Sequence, residues 1–301
     1  MLEKLIEVNN LTKRYGDITV VDEISFSVRK GEIFGLLGPN GAGKTTTLEC
    51  LEGIRRPDSG TLRVLEADPV RHQAKLRKLI GVQLQSSALP ANIQVDEAMK
   101  FFCAYHRVTP RFDLLERLGL REKMRAQYET LSTGQKRRLA LALAVAHQPS
   151  VVFLDEPTAG LDVATRSELH RLMSELQETG TTLILSTHDM AEVEEMADQV
   201  AIMLRGRIVA TGSPRELTAK GNGLTKISVH ATGCNLENIK FPNVEKERVQ
   251  ENYRIYYTTE TGPMVAAIIN AIRETSGTLI DLRVERPSLE ERFLELTKEV
   301  W

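Results

Sequence analysis

The sequence predicts an α/β fold in which a mostly parallel sheet core carries an inserted helical subdomain and is followed by a small C-terminal α+β domain. Three observations predict it. From Leu5 to about Ala210, strand-length apolar runs alternate with helical stretches, the order that builds a parallel sheet. From about 86 to 148 the periodicity is helical and strand signal almost vanishes, as expected of a helical insertion. Near Lys220 the turn-rich "KGNG" breaks the pattern, and shorter strands follow.

Each element follows from its own stretch. "SFSVRK" and "GEIFGLLG" read as strands, a helix starts at Lys44, and "LIGVQLQ" reads as the next strand. "VDEAMKFFCAYHRV", "DLLERLGL" and "TGQKRRLALALAVAHQ" supply the helical subdomain. "SVVFLDE" is a β-branched, apolar strand, followed by a helix from Val163, the strand "TTLILST" and the run "VAIMLRGRIV". The domain boundary is expected within Lys220 to Thr225, giving domains 1–221 and 222–301. Beyond it, "TKISVHAT", "YRIYYTT" and "TLIDLRV" read as strands accompanied by two helices. The last helix has a capping-box start, Ser288 with Glu291, which satisfies amides left free at a helix N-terminus. No internal repeat or low-complexity tract stands out, which argues against a solenoid.

Composition narrows the partners. The 301 residues are 42% hydrophobic, enough to bury a real core, and 39 basic residues nearly cancel 41 acidic ones, so bulk charge makes no case for nucleic acid. Cys50, Cys103 and Cys234 are odd in number and lack the paired spacing of zinc ligands or of a disulfide framework, which fits a reducing cytosol. The longest apolar run, "LALALAVA" from Leu139 to Ala146, falls far short of the roughly 20 residues that span a bilayer. Any membrane role is therefore expected to come through a partner.

The chemistry concentrates at strand ends. "GPNGAGKTTT", Gly38 to Thr47, fits G-x-x-x-x-G-K-[ST] and lies between an apolar strand and a helix, the context of a phosphate-binding loop. Gly38, Gly41 and Gly43 are expected to let the backbone curl with its amides inward, Lys44 to reach the β- and γ-phosphates, and Thr45 to offer its hydroxyl to Mg²⁺. Asn40 and Thr46 belong to the same loop. "SVVFLDEPTAGLD" ends in Asp155 and Glu156, where carboxylates face the ligand crevice of a parallel sheet. Asp155 is expected to meet Mg²⁺ through water, and Glu156 to act as general base on the attacking water. "LILSTHD" delivers His188 to a further strand tip, within reach of the γ-phosphate or the water, and Gln85 ends "IGVQLQ" with an amide oxygen suited to Mg²⁺ or the water. "LSTGQ" before the helix "QKRRLALALAVA" places Ser132 as a cap and aims the helix N-terminus, with the amides around Gly134, outward.

With these residues in this order ("GPNGAGKTT", a Gln after "IGVQL", "LSTGQ", "VVFLDEPTAGLD" and "STHD"), residues 5 to 215 resemble the ABC-type ATPases, a P-loop NTPase family. The resemblance implies that ATP and Mg²⁺ bind between two cassettes of a dimer. Gln135, with Ser132 and Gly134, then belongs to the segment that meets the partner's ATP. It also implies that Tyr15, in "LTKRYG", stacks on adenine, and that Asp162, in "AGLD", connects the two sites across the interface. As a plain alternative, Asp162 caps the helix "VATRSELHRLM". The sequence departs from the family's "LSGGQ" at Thr133, whose β-branched side chain removes glycine's freedom at positive φ and adds bulk beside the phosphate. Because Ser132, Gly134, Glu156 and His188 remain, an active ATPase is expected, with Thr133 tuning it.

A single cassette without spans resembles the ATP-driven half of a transporter whose permease is another chain, held on the cytoplasmic face of the membrane. Gln85 to Ala104 is where the family docks that permease, and an exposed apolar patch there would support it. The tail "RVERPSLEERFLELT" is similar to that of exporter ATPases of the drug-resistance type. The alternative is a soluble ABC ATPase acting on a ribosome, DNA or a cofactor-assembly scaffold. Its marks, two cassettes in one chain or long heptad arms between Lys44 and Ser132, are missing.

Overall fold

The computed structural model describes residues 3–84, 89–219, 224–234, 236, 239, 241, 243–285 and 288–300. They divide into two compact units, Met1–Pro214 and Arg215–Trp301. The boundary expected from the sequence falls at 221/222, and residues 220–223 lie outside the described residues.

In chain order the first unit contains β1 (Lys4–Tyr15), β2 (Ile18–Arg29), β3 (Ile33–Leu37), α1 (Lys44–Leu51), β4 (Ser59–Val64), α2 (Gln73–Leu76), β5 (Ile80–Gln83), α3 (Val95–His106), α4 (Phe112–Arg117), α5 (Thr133–Val145), β6 (Val151–Asp155), α6 (Val163–Glu178), β7 (Thr182–Thr187), α7 (Met190–Met196), β8 (Gln199–Leu204) and β9 (Arg207–Gly212). The main sheet has the order β5-β6-β7-β3-β8-β9, with β5 to β8 parallel to their neighbours and β9 antiparallel at the edge. Every residue of β3, β6 and β7 is buried, because helices and a second sheet cover the two faces of this parallel sheet, and this is why those strands read as unbroken apolar runs.

Two features depart from the expected order of elements. "SFSVRK" belongs to β2 in a separate antiparallel sheet, β2-β1-β4, whose buried side chains Ile6, Val8, Leu11 and Val28 share one core with Phe34, Leu36 and Phe153 of the main sheet. Phe26 stacks on Phe34 at 5.1 Å across that junction. The run "VAIMLRGRIV" is two strands, β8 and β9, turning at Arg205 and Gly206, both at positive φ.

Between β5 and β6 the described residues form helices and turns joined by an isolated bridge, Gln94 to Gln127. Gln94 and Glu97 form the capping box that starts α3.

The second unit contains α8 (Pro214–Ala219, whose first residue belongs to the first unit), β10 (Thr225–Thr232), β11 (Val244–Gln250), β12 (Tyr253–Thr258), α9 (Thr261–Glu274), β13 (Thr278–Glu285) and α10 (Leu289–Val300). Its antiparallel sheet runs β11-β12-β10-β13, and Ile227, Val229 and Tyr256 pack against Met264, Ile268 and Ile272 of α9. The capping box of α10 is formed, with the Glu291 amide donating to Ser288 Oγ at 3.2 Å. β11, "VEKERVQ", is a strand the sequence pattern did not reveal. It is a largely exposed edge, so it carries no alternation of apolar residues.

Candidate functional site

The phosphate loop leaves the carboxyl end of β3 and enters α1. Two of its glycines are required by the surrounding backbone, for different reasons. A Cβ at Gly38 would lie 2.3 Å from the Met203 carbonyl oxygen, so this glycine serves close approach to β8 and not the curl expected of it. Gly43 has φ +100, and a Cβ there would lie 2.6 Å from the Val20 carbonyl oxygen. Gly43 is also the N-cap of α1, where no side chain accepts from the first amides. α5 and α6 do have side-chain caps, so α1 presents an N-terminus suited to an anion.

Lys44 is 6% exposed. Its Nζ donates to the carbonyl oxygens of Gly38 at 2.6 Å and Pro39 at 3.2 Å, and lies 3.7 Å from Glu156 Oε1. Burial lowers the pKa of Lys44, and the charges of Glu156 and Asp155 work against that shift. Thr45 and Thr46 follow in the first turn of α1, half-buried, and Asn40 is exposed in the loop before it.

Strand order brings the remaining chemistry to this end of the sheet. β6 and β7 are neighbours in register, with Asp155 opposite Ser186, and the Ser186 hydroxyl donates to the Asp155 carboxylate. Glu156 follows at φ +50, a left-handed conformation uncommon for a residue with a Cβ, while its amide still donates to the Ser186 carbonyl oxygen at 2.9 Å. This turn ends the strand and leaves the Glu156 side chain against both Lys44 and His188. The His188 Nδ1–H donates to the Glu156 carboxylate, at 2.9 Å from each oxygen. Glu156 is buried while His188 is 56% exposed, so the ring links a buried carboxylate to the surface.

A second group forms at the N-termini of α5 and α6. Ser132 and Gln135 make a reciprocal capping box, with the Gln135 amide donating to Ser132 Oγ at 3.2 Å and the Ser132 amide to Gln135 Oε1 at 2.9 Å. Asp162 caps α6, accepting from the Thr165 amide at 2.9 Å and the Thr165 hydroxyl at 2.8 Å, so its plain alternative role is present. Thr133 is the first residue of α5 and is not at positive φ, which corrects the expectation that glycine's backbone freedom is lost there. Gly134 is helical too, and a Cβ on it would meet only Leu161 Cδ2 at 3.5 Å and the Gly160 carbonyl oxygen at 4.0 Å.

Tyr15 ends β1 with its ring 40% exposed, and Lys13 Nζ and the Arg55 guanidinium lie 5.5 and 5.4 Å from the ring centroid. Arg55 also pairs with Glu49 of α1, which ties the aromatic ring to the helix after the phosphate loop. Gln85 lies outside the described residues. Its strand, β5, pairs with β6 in parallel and ends at Gln83, on the same carboxyl edge.

Three residues escaped the sequence reading. Ser186 could have been found as a polar residue in an apolar strand. Arg55 and Glu52 gave no signal, because charged residues after a helix read as surface. Glu52 is instead buried at the end of α1, one of its carboxylate oxygens has no hydrogen-bond partner, and burial, reinforced by the charges of Asp155 and Glu49, pushes it up to about 8.

Oxygen donors suited to Mg²⁺, the Thr45 hydroxyl and the Asp155 carboxylate, are at hand, and among the described residues no cluster of three His, Cys, Asp or Glu could hold a metal alone. On α3, Phe101 is 66% exposed within the segment Gln85 to Ala104, and Tyr105, just beyond that segment, is 58% exposed. No helix among the described residues is long and apolar enough to cross a membrane.

Comparison with known proteins agrees with this geometry. Residues 21–159 match the family described as ABC transporter. The chain is 36% identical to the Nod factor export ATP-binding protein I of Ralstonia nicotianae, over 97% of this chain and 94% of that protein. It is 32% identical to the linearmycin resistance ATP-binding protein LnrL of Bacillus subtilis, over 97% and 98%. Among solved structures, cbiO1 of Clostridium perfringens, part of the ABC transporter complex cbiONQ, superposes with a TM-score of 0.62 at 32% identity, over 72% of this chain and 92% of that one. The dimeric bacterial ABC transporter cassette MJ0796 superposes with a TM-score of 0.63 at 24% identity, over 69% and 98%, a likeness of fold.

Proposed function

The chain belongs to the ABC transporter family of ATPases, and from that premise we propose that it is the ATP-hydrolysing subunit that drives a separate membrane permease in export. The observation that carries this reading is the convergence of Lys44, Asp155, Glu156 and His188 at the carboxyl ends of β3, β6 and β7. Relatives named for export and drug resistance extend over both units of the chain, which favours export over a cassette acting on a soluble assembly.

In this reading the amides of the phosphate loop and the N-terminus of α1 hold the ATP phosphates, and Lys44 turns from the Gly38 and Pro39 carbonyls to the β- and γ-phosphates. Thr45 and Asp155, with Gln85, would hold Mg²⁺, which supplies charge neutralisation on the phosphates. Glu156 takes a proton from the attacking water as general base, and His188, already bonded to it, orients that carboxylate and reaches the γ-phosphate. Tyr15 stacks on adenine. Two chains face each other so that Ser132, Gly134 and Gln135 of one approach the ATP of the other, with Asp162 at the seam. The glycine at 134 supports this, since neither its backbone angle nor its neighbours within the chain require it. The exposed Phe101 and Tyr105 on α3 support a docking face for the permease, with the chain working on the cytoplasmic side of the membrane.

The test is Glu156→Gln, which keeps size and hydrogen bonding but removes the base, and should lower kcat by roughly 100-fold or more while ATP-stabilised dimers accumulate. Tagged Glu156→Gln chain is then captured with ATP from detergent-solubilised cells. Co-purification of a polytopic membrane protein supports transport, whereas recovery of soluble assemblies alone removes the transporter reading and leaves the ATPase.

A further inference from the structure

We propose that Arg117 is a positioning residue for the nucleotide site: by clasping Glu168 and Glu175 it holds the helical subdomain at a fixed angle to the core, and so sets where Ser132 and Gly134 stand relative to Asp162. The inference rests on the two-chain ATP site proposed above.

Arg117 is the last residue of α4, and both its partners lie on α6, about two turns apart and therefore on one face. Its guanidinium forks onto Glu175, with Nη1 to Oε2 at 2.6 Å and Nη2 to Oε1 at 3.0 Å, while its Nε donates to Glu168. The other oxygen of Glu168 takes Arg171. A planar, five-donor fork shared between two carboxylates is the geometry in which an ion pair fixes an angle, which a single point contact does not. Burial opposes ionisation of Glu168, but the hydrogen bonds from Arg117 and Arg171 outweigh it and hold that carboxyl below its ordinary value. The Arg117 hydrogen bond holds Glu175 low as well.

A crevice of about 630 Å³ opens beside the clasp, lined by Leu114 and Arg117 of α4, Val145 of α5, and Leu172, Glu175 and Leu176 of α6. Leu114 and Leu172 are buried beside it, so the ion pairs add a directional link where apolar side chains are also packed. On its other side, α4 is tied to α5, because Arg138 Nη1 donates to the carbonyl oxygen of Leu118, the residue after Arg117, at 2.9 Å. Arg138 lies less than two turns from Ser132 on α5. Polar contacts thus link α6 to α4 at Arg117, and α4 to α5 at Arg138, on the helix that Ser132 caps. α5 and α6 approach each other at their N-termini, where the Gly134 Cβ position lies 3.5 Å from Leu161.

The experiment measures the angle and its consequence separately. Spin labels are placed at the exposed Glu122, in the helical subdomain, and Glu178, at the end of α6, by Glu122→Cys and Glu178→Cys with Cys234→Ser; the remaining Cys50 and Cys103 are buried. Without nucleotide, Arg117→Ala and Glu175→Gln should broaden the inter-label distance distribution, and Arg117→Lys, which keeps charge without the fork, should restore it only in part. In the Glu156→Gln background, ATP-induced dimerisation of Arg117→Ala should weaken roughly tenfold. An unchanged distribution in both folded variants overturns the clasp. A broadened distribution with unchanged dimerisation overturns its bearing on the site. If Glu156→Gln chain with Arg117 intact stays monomeric in ATP, the two-chain reading fails on its own, and the label distances alone then support or overturn the positioning of the subdomain.

Discussion

Replacing Gly134 with alanine separates what the fold needs from what the ATP site needs. Gly134 is the second residue of α5, its φ is not positive, and the added Cβ would lie 3.5 Å from Leu161 Cδ2, an ordinary van der Waals distance. Glycine inside a helix is worse than alanine by roughly 0.5–1 kcal/mol, and for a unit of this size each kcal/mol moves the melting temperature by about 2–4 °C. Gly134→Ala should therefore melt about 1–4 °C higher than the parent chain. In the two-chain arrangement proposed above, the same methyl group would stand between the start of α5 and the partner's ATP. A misplacement of about 1 Å at a reacting site costs on the order of 100-fold, so kcat/KM for ATP should fall by about that factor. Calorimetry and a phosphate-release assay on the same preparation read the two effects together. Hydrolysis within about threefold of the parent would refute the reasoning, because no ligand or partner would then approach residue 134. A lower melting temperature would show instead that the fold itself requires the glycine.

Glu52 gives a pH signature. Its carboxyl is pushed from an ordinary 4.5 up to about 8, so between these values the folded chain holds a proton that the unfolded chain has released. That contribution to stability is complete below 4.5 and is lost as pH rises through about 8. Glu52→Gln should remove this dependence, gaining on the parent chain by up to about 1.4 kcal/mol per pH unit within the window, as read by urea unfolding at a series of pH values. Parallel stability curves would contradict it. On α3, Phe101→Ala combined with Tyr105→Ala should leave thermal stability within about 0.5 kcal/mol for each exposed position, yet abolish capture of a membrane partner by the Glu156→Gln chain. Undiminished capture would move the docking face elsewhere.

The phosphate loop, the carboxylate pair and the tip histidine were legible because each follows a strand buried on both faces, and such strands are written as continuous apolar runs ending abruptly in polar residues. The caps Ser132, Asp162 and Ser288 were legible because capping is local chemistry, decided within four residues. β11 was not, since an exposed edge strand buries no alternating face. The antiparallel sheet was missed for a related reason: β1 pairs with β4, and nothing within either segment specifies that distant partner.

By itself, then, the sequence determined the α/β class and named the candidate groups at the strand ends. Only the tertiary structure decided how those groups meet. The strand order β6-β7-β3 brings Lys44, Glu156 and His188 into one cluster, and Gly38 proves to be required by the backbone of β8. Arg117 reads as an ordinary surface charge until α4 is laid against α6, where its fork closes on two carboxylates. The physical reason is range: apolar patterning and capping act over a few residues of chain, whereas a hydrogen-bonded cluster or an ion-pair clasp exists only between side chains that folding has brought together.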